Sequence, residues 1–206
     1  MKSGFLKFLT FLIIFSSVIS GCKPKARYER KLKNELAKGV RYDSLFLGLY
    51  LGMPEKDFYI HCWELNKKGL IKQGSNNTTV EYRINELKHP GIMNFYPSFV
   101  ESKIAEMPVK FTYAGWAPWN QKLSSDSLQY DVMQWIEKKY GNRFIKVDHP
   151  KRGSAYIKLD GNRRITIYRE NDINVWAVFS DMSVMKELYD QSRIRDNPED
   201  TTKVIK

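Results

Sequence analysis

The chain is poor in the residues that carry metal and thiol chemistry, with two cysteines and three histidines in 206 residues. His61, His89 and His149 stand far apart, with no His-x-x-x-His pair, no paired cysteines and no acidic loop, so no metal site or cofactor is expected. His61 adjoins Cys62, but neighbours on a helix point about 100° apart and do not share a ligand. Cys62 falls in an apolar stripe with Phe58 and Leu65, which describes a core thiol rather than an activated nucleophile. There is no Gly-x-Ser-x-Gly elbow and no phosphate loop. The serine run Ser124-Ser125-Asp126-Ser127 is explained by helix capping. These absences exclude the common catalytic signatures, and no enzyme activity is expected.

Long apolar runs are also lacking. The longest, Phe8 to Phe15, is too short for the roughly 20 residues of a spanning helix. It follows Lys2 and Lys7, no acid appears before Glu29, and Ser16, Ser17, Ser20 and Gly21 lead to Cys22. A positive start, a short apolar core and small residues read as a secretory signal. Ile19-Ser20-Gly21-Cys22 resembles the bacterial lipobox. The resemblance implies cleavage before Cys22 and acylation of that residue by chains such as palmitate, making Cys22 a lipidation site. Two or more chains, at about 0.8 kcal/mol per buried methylene, give stable membrane anchoring. Cys62 would then be alone and no internal disulfide could form.

Acid is outnumbered, with 34 Lys and Arg against 23 Asp and Glu and a formal charge of +11, which falls to +9 once Lys2 and Lys7 are removed. Such a surface attracts acidic partners, among them phospholipid headgroups and anionic glycans. Nucleic acid is set aside because an exported lipoprotein does not meet it.

Residues 1–21 read as a signal peptide, 22–43 as a basic tether or short helix, 44–122 and 123–191 as two α+β units, and 192–206 as a polar tail. Tyr28, Leu32 and Leu36 share one helix stripe. Leu45, Leu47, Leu49 and Leu51 alternate as in an extended strand. Pro54 opens a helix that Gly69 ends. Strands are expected over Val80–Ile84, Ile92–Phe99 and Val109–Tyr113, with Pro108 as punctuation. Leu128, Val132, Trp135 and Ile136 stripe a second long helix that Gly141 closes. Three alternating strands then follow, the first two joined by the hairpin signal Asp160-Gly161-Asn162, with a terminal helix from Ser183. Each half is a helix followed by an antiparallel meander. The expected fold class is α+β, two such units side by side on a joined sheet.

Leu47-Gly48-Leu49-Tyr50-Leu51-Gly52-Met53 before a helix resembles the opening of helix-plus-meander envelope lipoproteins of the SmpA/OmlA type. That likeness implies a protein-binding or assembly role. The aromatic-rich paired layout is similar to lipoproteins of Bacteroidetes-like bacteria, and no catalytic residue carries over from it. Lys23 follows Cys22 where enteric inner-membrane retention uses aspartate. This implies the outer membrane, on the periplasmic side.

Tryptophan in a Gly/Pro loop suggests a binding role for Tyr113, Trp116, Trp119 and Asn120, since flat rings stack on sugars and anchor partners. The competing possibility is that the rings cover the end of the sheet. Lys151, Arg152, Arg163 and Arg164 form a second candidate, for phosphate or carboxylate groups. The expected function is a membrane-anchored, non-catalytic binding or assembly protein of the envelope. The alternatives are a module for acidic glycan or lipid headgroups and, behind it, a hydrolase of envelope polymers.

Overall fold

The computed structural model describes residues 24–74, 78–149 and 153–185. The signal segment, Cys22, Lys151, Arg152 and the polar tail lie outside them. Three longer helices accompany nine strands: α1 (Pro24–Ala37), α2 (Glu55–Lys67), β1 (Ile71–Gln73), β2 (Val80–Ile84), β3 (Gly91–Phe95), β4 (Ser98–Val100), β5 (Lys103–Tyr113), α3 (Ser125–Tyr140), β6 (Phe144–His149), β7 (Gly153–Asp160), β8 (Arg163–Arg169) and β9 (Val175–Asp181). A short 3-10 turn, Gln121–Leu123, precedes α3, and residues 182–185 are helical.

The chain is α+β. All the strands join one antiparallel sheet in the order β1-β2-β3-β5-β9-β8-β7-β6, with β4 paired to β5. The order reads as two meanders placed tail to tail. Each begins with a helix, runs outward edge to centre, and ends in a central strand. Those last strands, β5 and β9, pair from Glu106↔Ser180 to Phe111↔Val175.

Alternation gives the sheet two faces. Met107, Val109, Phe111 and Tyr113 of β5, Val175, Ala177 and Phe179 of β9, and Ile165 and Ile167 of β8 bury on one face, together with Phe58 of α2 and Leu128, Val132 and Ile136 of α3. Helix α1 lies on the other face. Its Leu32, flanked by Tyr28 and Leu36, packs on Leu159, Ile157 and Met182. Leu159 pairs with Arg164, which alternates with the core-facing Ile165.

Three expectations need correction. The strand expected over Ile92–Phe99 divides at Tyr96-Pro97 into β3 and β4. Leu45–Leu51 is not an extended strand. Leu47 and Gly48 take φ of 53° and 80°, and Leu45 N–H donates to Leu49 O while Leu49 N–H donates to Phe46 O. The resulting loop drives Leu45, Phe46, Leu49 and Leu51 together into the core. Gly48 suits the turn because its φ disfavours side chains and a Cβ there would meet the His61 ring at 3.1 Å. Pro108, expected to break the chain, sits inside an 11-residue strand. On one side β5 pairs with β4 over residues 103–106 and with β3 over 109–113, so Pro108 occupies the gap where no N–H is required.

A long-range ion pair ties the segment after α1 to the end of β9. Arg41 bridges Asp43 at 2.8 Å and Asp181 at 2.6 Å, and the Asp181 side chain is 2% exposed. Burial alone would raise the Asp181 pKa, but hydrogen bonds from Ser183 and Arg41 and the Arg41 charge outweigh it and hold it below its ordinary 3.8. A depressed folded-state value means the stabilisation is complete above the unfolded pKa and is lost as pH falls through the folded one. Asp181→Asn is expected to cost about 1–2 kcal/mol at pH 7 by denaturant melts, allowing for the exposure of Arg41. The gap between variant and parent should close as pH falls through the folded-state pKa, which lies below the ordinary 3.8.

Candidate functional sites

The tryptophan segment leaves the end of β5 and wraps the start of α3. Alternation along β5 turns Tyr113 inward, 2% exposed, and its hydroxyl donates to Asp131 Oδ2 at 2.7 Å. Burial, then that hydrogen bond and the carboxylate charge, raise the Tyr113 pKa. The phenol is therefore a neutral latch between sheet and helix. His89 meets the Tyr113 ring edge-on at 5.7 Å. Around this pair opens a cleft of about 640 Å³ lined by Lys88, His89, Tyr113, Lys122, Asp126, Ser127, Tyr130 and Asp131.

Trp116 and Asn120 face a second cleft of about 460 Å³, with Gln121, Ser124, Ser125, Asp126 and Asp172. The turn that shapes it is closed by Asn120 N–H to Ala117 O and Leu123 N–H to Asn120 O. The two clefts share Asp126, which Arg169 of β8 holds by a short hydrogen bond. Trp119 lines neither cleft and projects into solvent, 86% exposed. The four residues expected to act together thus divide: Tyr113 is structural, Trp116 and Asn120 share a cleft, and Trp119 stands apart.

The expected basic cluster does not assemble. Successive residues of a strand point to opposite faces. Arg163 turns to the core side, donates to Ser44 O at 2.7 Å, and stacks 4.6 Å from the Tyr140 ring. Arg164 turns to the α1 side and donates to Tyr28 Oη and Ser180 Oγ. Both guanidinium groups are committed to the fold. Lys151 and Arg152 lie outside the described residues.

Sequence reading missed the outer face of α2. Phe58, Cys62 and Leu65 face inward. The remaining large residues, Tyr59, Ile60 and Trp63, are left exposed, Trp63 by 59%. Tyr59 and Tyr96 join hydroxyls at 2.7 Å, and that bond raises the Tyr59 pKa to about 12. Phe58, Tyr59, Tyr96 and Phe99 pack with ring centroids 5.5 to 6.4 Å apart, mostly edge to face. Lys67 Nζ stands 3.4 Å above the Trp63 ring. Beside the patch, a groove of about 350 Å³ runs between α2 and the β1–β2 hairpin. Cys62 lines it, and burial pushes its thiol up to about 11, so it stays protonated at neutral pH.

Among the described residues, no three His, Cys, Asp or Glu side chains converge as a metal site, and neither Ser125 nor Cys62 is hydrogen-bonded to a histidine. His61 Nε2 is instead engaged with Leu47 O at 2.7 Å, tying the leucine loop to α2. No described helix is long and apolar enough to cross a membrane. Comparison with protein-family models, curated proteins and solved structures gives no match.

The latch predicts its own signature. Tyr113→Phe leaves Asp131 Oδ2 without its donor and should cost about 1.5–3 kcal/mol in denaturant melts. A change below about 0.5 kcal/mol would show that water replaces the phenol.

Proposed function

We propose that this chain is a lipid-anchored, non-catalytic binding protein of the bacterial envelope, held by acyl chains on Cys22 at the outer membrane and facing the periplasm. The observation that carries the binding role is the aromatic outer face of α2, where Tyr59, Ile60, Trp63 and Tyr96 are exposed side by side. A helix that buries one apolar stripe and displays another carries more than its fold requires. Tyr and Trp are the residue types that most often dominate protein interfaces.

Placement supports a protein partner over the bilayer. Cys22 precedes α1 by one residue, and α1 packs on the sheet face opposite to α2. The helix that follows Cys22 and the aromatic patch therefore lie on opposite sides of the sheet, which supports a patch that faces the aqueous space when the chain is anchored. Charges of both signs flank it, Lys56 and Lys67 with Glu55, whose carboxylate accepts from the Tyr59 hydroxyl.

Two experiments separate the anchor from the binding face. Cys22→Ser should move the protein from the membrane to the soluble fraction of its native cell, and mass spectrometry of the parent should find a diacyl or triacyl Cys22 at the new N-terminus. Retention of the leader would overturn the envelope setting. For the face, crosslinking in native membranes followed by affinity measurement with the captured protein is the test. Trp63→Ala should weaken the complex about 30-fold, the arithmetic of a 2 kcal/mol hot spot, while thermal melts stay within about 0.5 kcal/mol of the parent. Unchanged affinity would place the interface elsewhere.

A further inference from the structure

The cleft beside Trp116 has a lining that the fold does not account for. Asn120 and Gln121 present amide donors and acceptors, Ser124 a hydroxyl, and Asp172 a carboxylate, all around one indole. No side chain of the described protein engages the Asn120, Gln121 or Asp172 side chains. Ser124 is the residue before α3, yet its hydroxyl makes no capping bond and stands 3.5 Å from Ser127 Oγ. The cleft thus sets one half-buried indole beside hydrogen-bonding groups of both kinds, of which the Asn120, Gln121 and Asp172 side chains are uncommitted. A ring that carries several hydroxyls on an apolar face meets both demands at once.

Charge decides which saccharide. The groups around the two clefts are Lys88, Lys122 and Arg169 against Asp126, Asp131 and Asp172, and they balance. Arg169 is spent on Asp126, and Asp172 stands in the Trp116 cleft with no basic side chain lining it. A polyanion brought there would meet a carboxylate it cannot pair with.

We infer that the Trp116 cleft is a binding site for an uncharged saccharide, with the sugar ring against the Trp116 indole and its hydroxyls on Asn120, Gln121, Ser124 and Asp172. This site is separate from the aromatic face of α2 and does not depend on the partner proposed for that face. Asp126, held by Arg169, lines both this cleft and the one beside Tyr130.

The test uses the full chain in a detergent without sugar headgroups. Neutral tetrasaccharides built on glucose, mannose and N-acetylglucosamine are titrated in parallel with a galacturonate tetrasaccharide. Binding is followed by calorimetry and by the NMR signals of the Trp116 indole N–H and the Asn120 and Gln121 side-chain amides. At least one neutral tetrasaccharide should bind and move those three signals. Trp116→Ala should weaken that binding at least about tenfold, and Asp172→Ala should weaken it as well, while Trp119→Ala leaves it unchanged. Thermal melts identify any variant that fails to fold, and Trp116→Phe, which keeps an aromatic face, should retain part of the affinity. Three results overturn the assignment: no neutral tetrasaccharide binds, only the galacturonate binds with a strong salt dependence, or binding survives Trp116→Ala unchanged.

Discussion

The pairing of β5 with β9 is the constraint on which the molecule rests. Taken alone, each half is a helix over a short meander, with its last strand unpaired along one side. Placing Val109 against Ala177 joins the halves, and the residues flanking that pair on both strands then line a single core. Helix α3 crosses the seam, with contacts to β5, β9 and β8, so it belongs to both halves. The tail-to-tail order follows from this seam. The outer strands of that order are β1 and β6, and β4, paired only with β5, leaves a further short edge. The β1 edge is three residues long, and Asn66 Nδ2 donates to Ile71 O at 3.0 Å, which partly caps it. A short, partly capped edge limits strand addition at β1.

The second half of the fold was more legible in the sequence than the first, and the reasons are local. Asp160-Gly161-Asn162 and Glu170-Asn171-Asp172 mark two turns, and the alternation between them has no interruption. The α3 stripe, Leu128, Val132, Trp135 and Ile136, buries as its spacing requires. Two short strands, β1 and β6, went unread because three residues carry almost no periodicity and because β6 begins directly after the α3 stop. In the first half the leucine alternation misled, since Gly48 and Gly52 allow a loop that presents side chains inward without a strand's period. Pro108 misled for the opposite reason. Its strand changes partner at that residue, a fact of topology that the residue type cannot announce.

Site residues were legible by location and not by direction. The tryptophan segment does border two clefts, yet only the strand parity of β5 decides that Tyr113 points inward. The same parity separates Arg163 from Arg164, and it could have been applied once the hairpin was assigned. The outer face of α2 was overlooked because Phe58, Cys62 and Leu65 already satisfied the need for a buried stripe. Asking what remained on the helix afterwards would have exposed Tyr59, Ile60 and Trp63. A helix should be read twice, once for the residues that fold it and once for apolar residues left over.

The contacts between the leucine loop and the last strands carry a consequence for how the molecule is made. Phe46 packs on Phe179 at 5.9 Å, Asn162 Nδ2 donates to Asp43, Arg163 donates to Ser44 O, and Arg41 bridges Asp181. Each joins residues separated by more than a hundred positions. Loop closure over such spans comes late in folding. A growing polypeptide cannot settle residues 41–46 until β9 has been made. The native packing of this early loop therefore waits for the last strand.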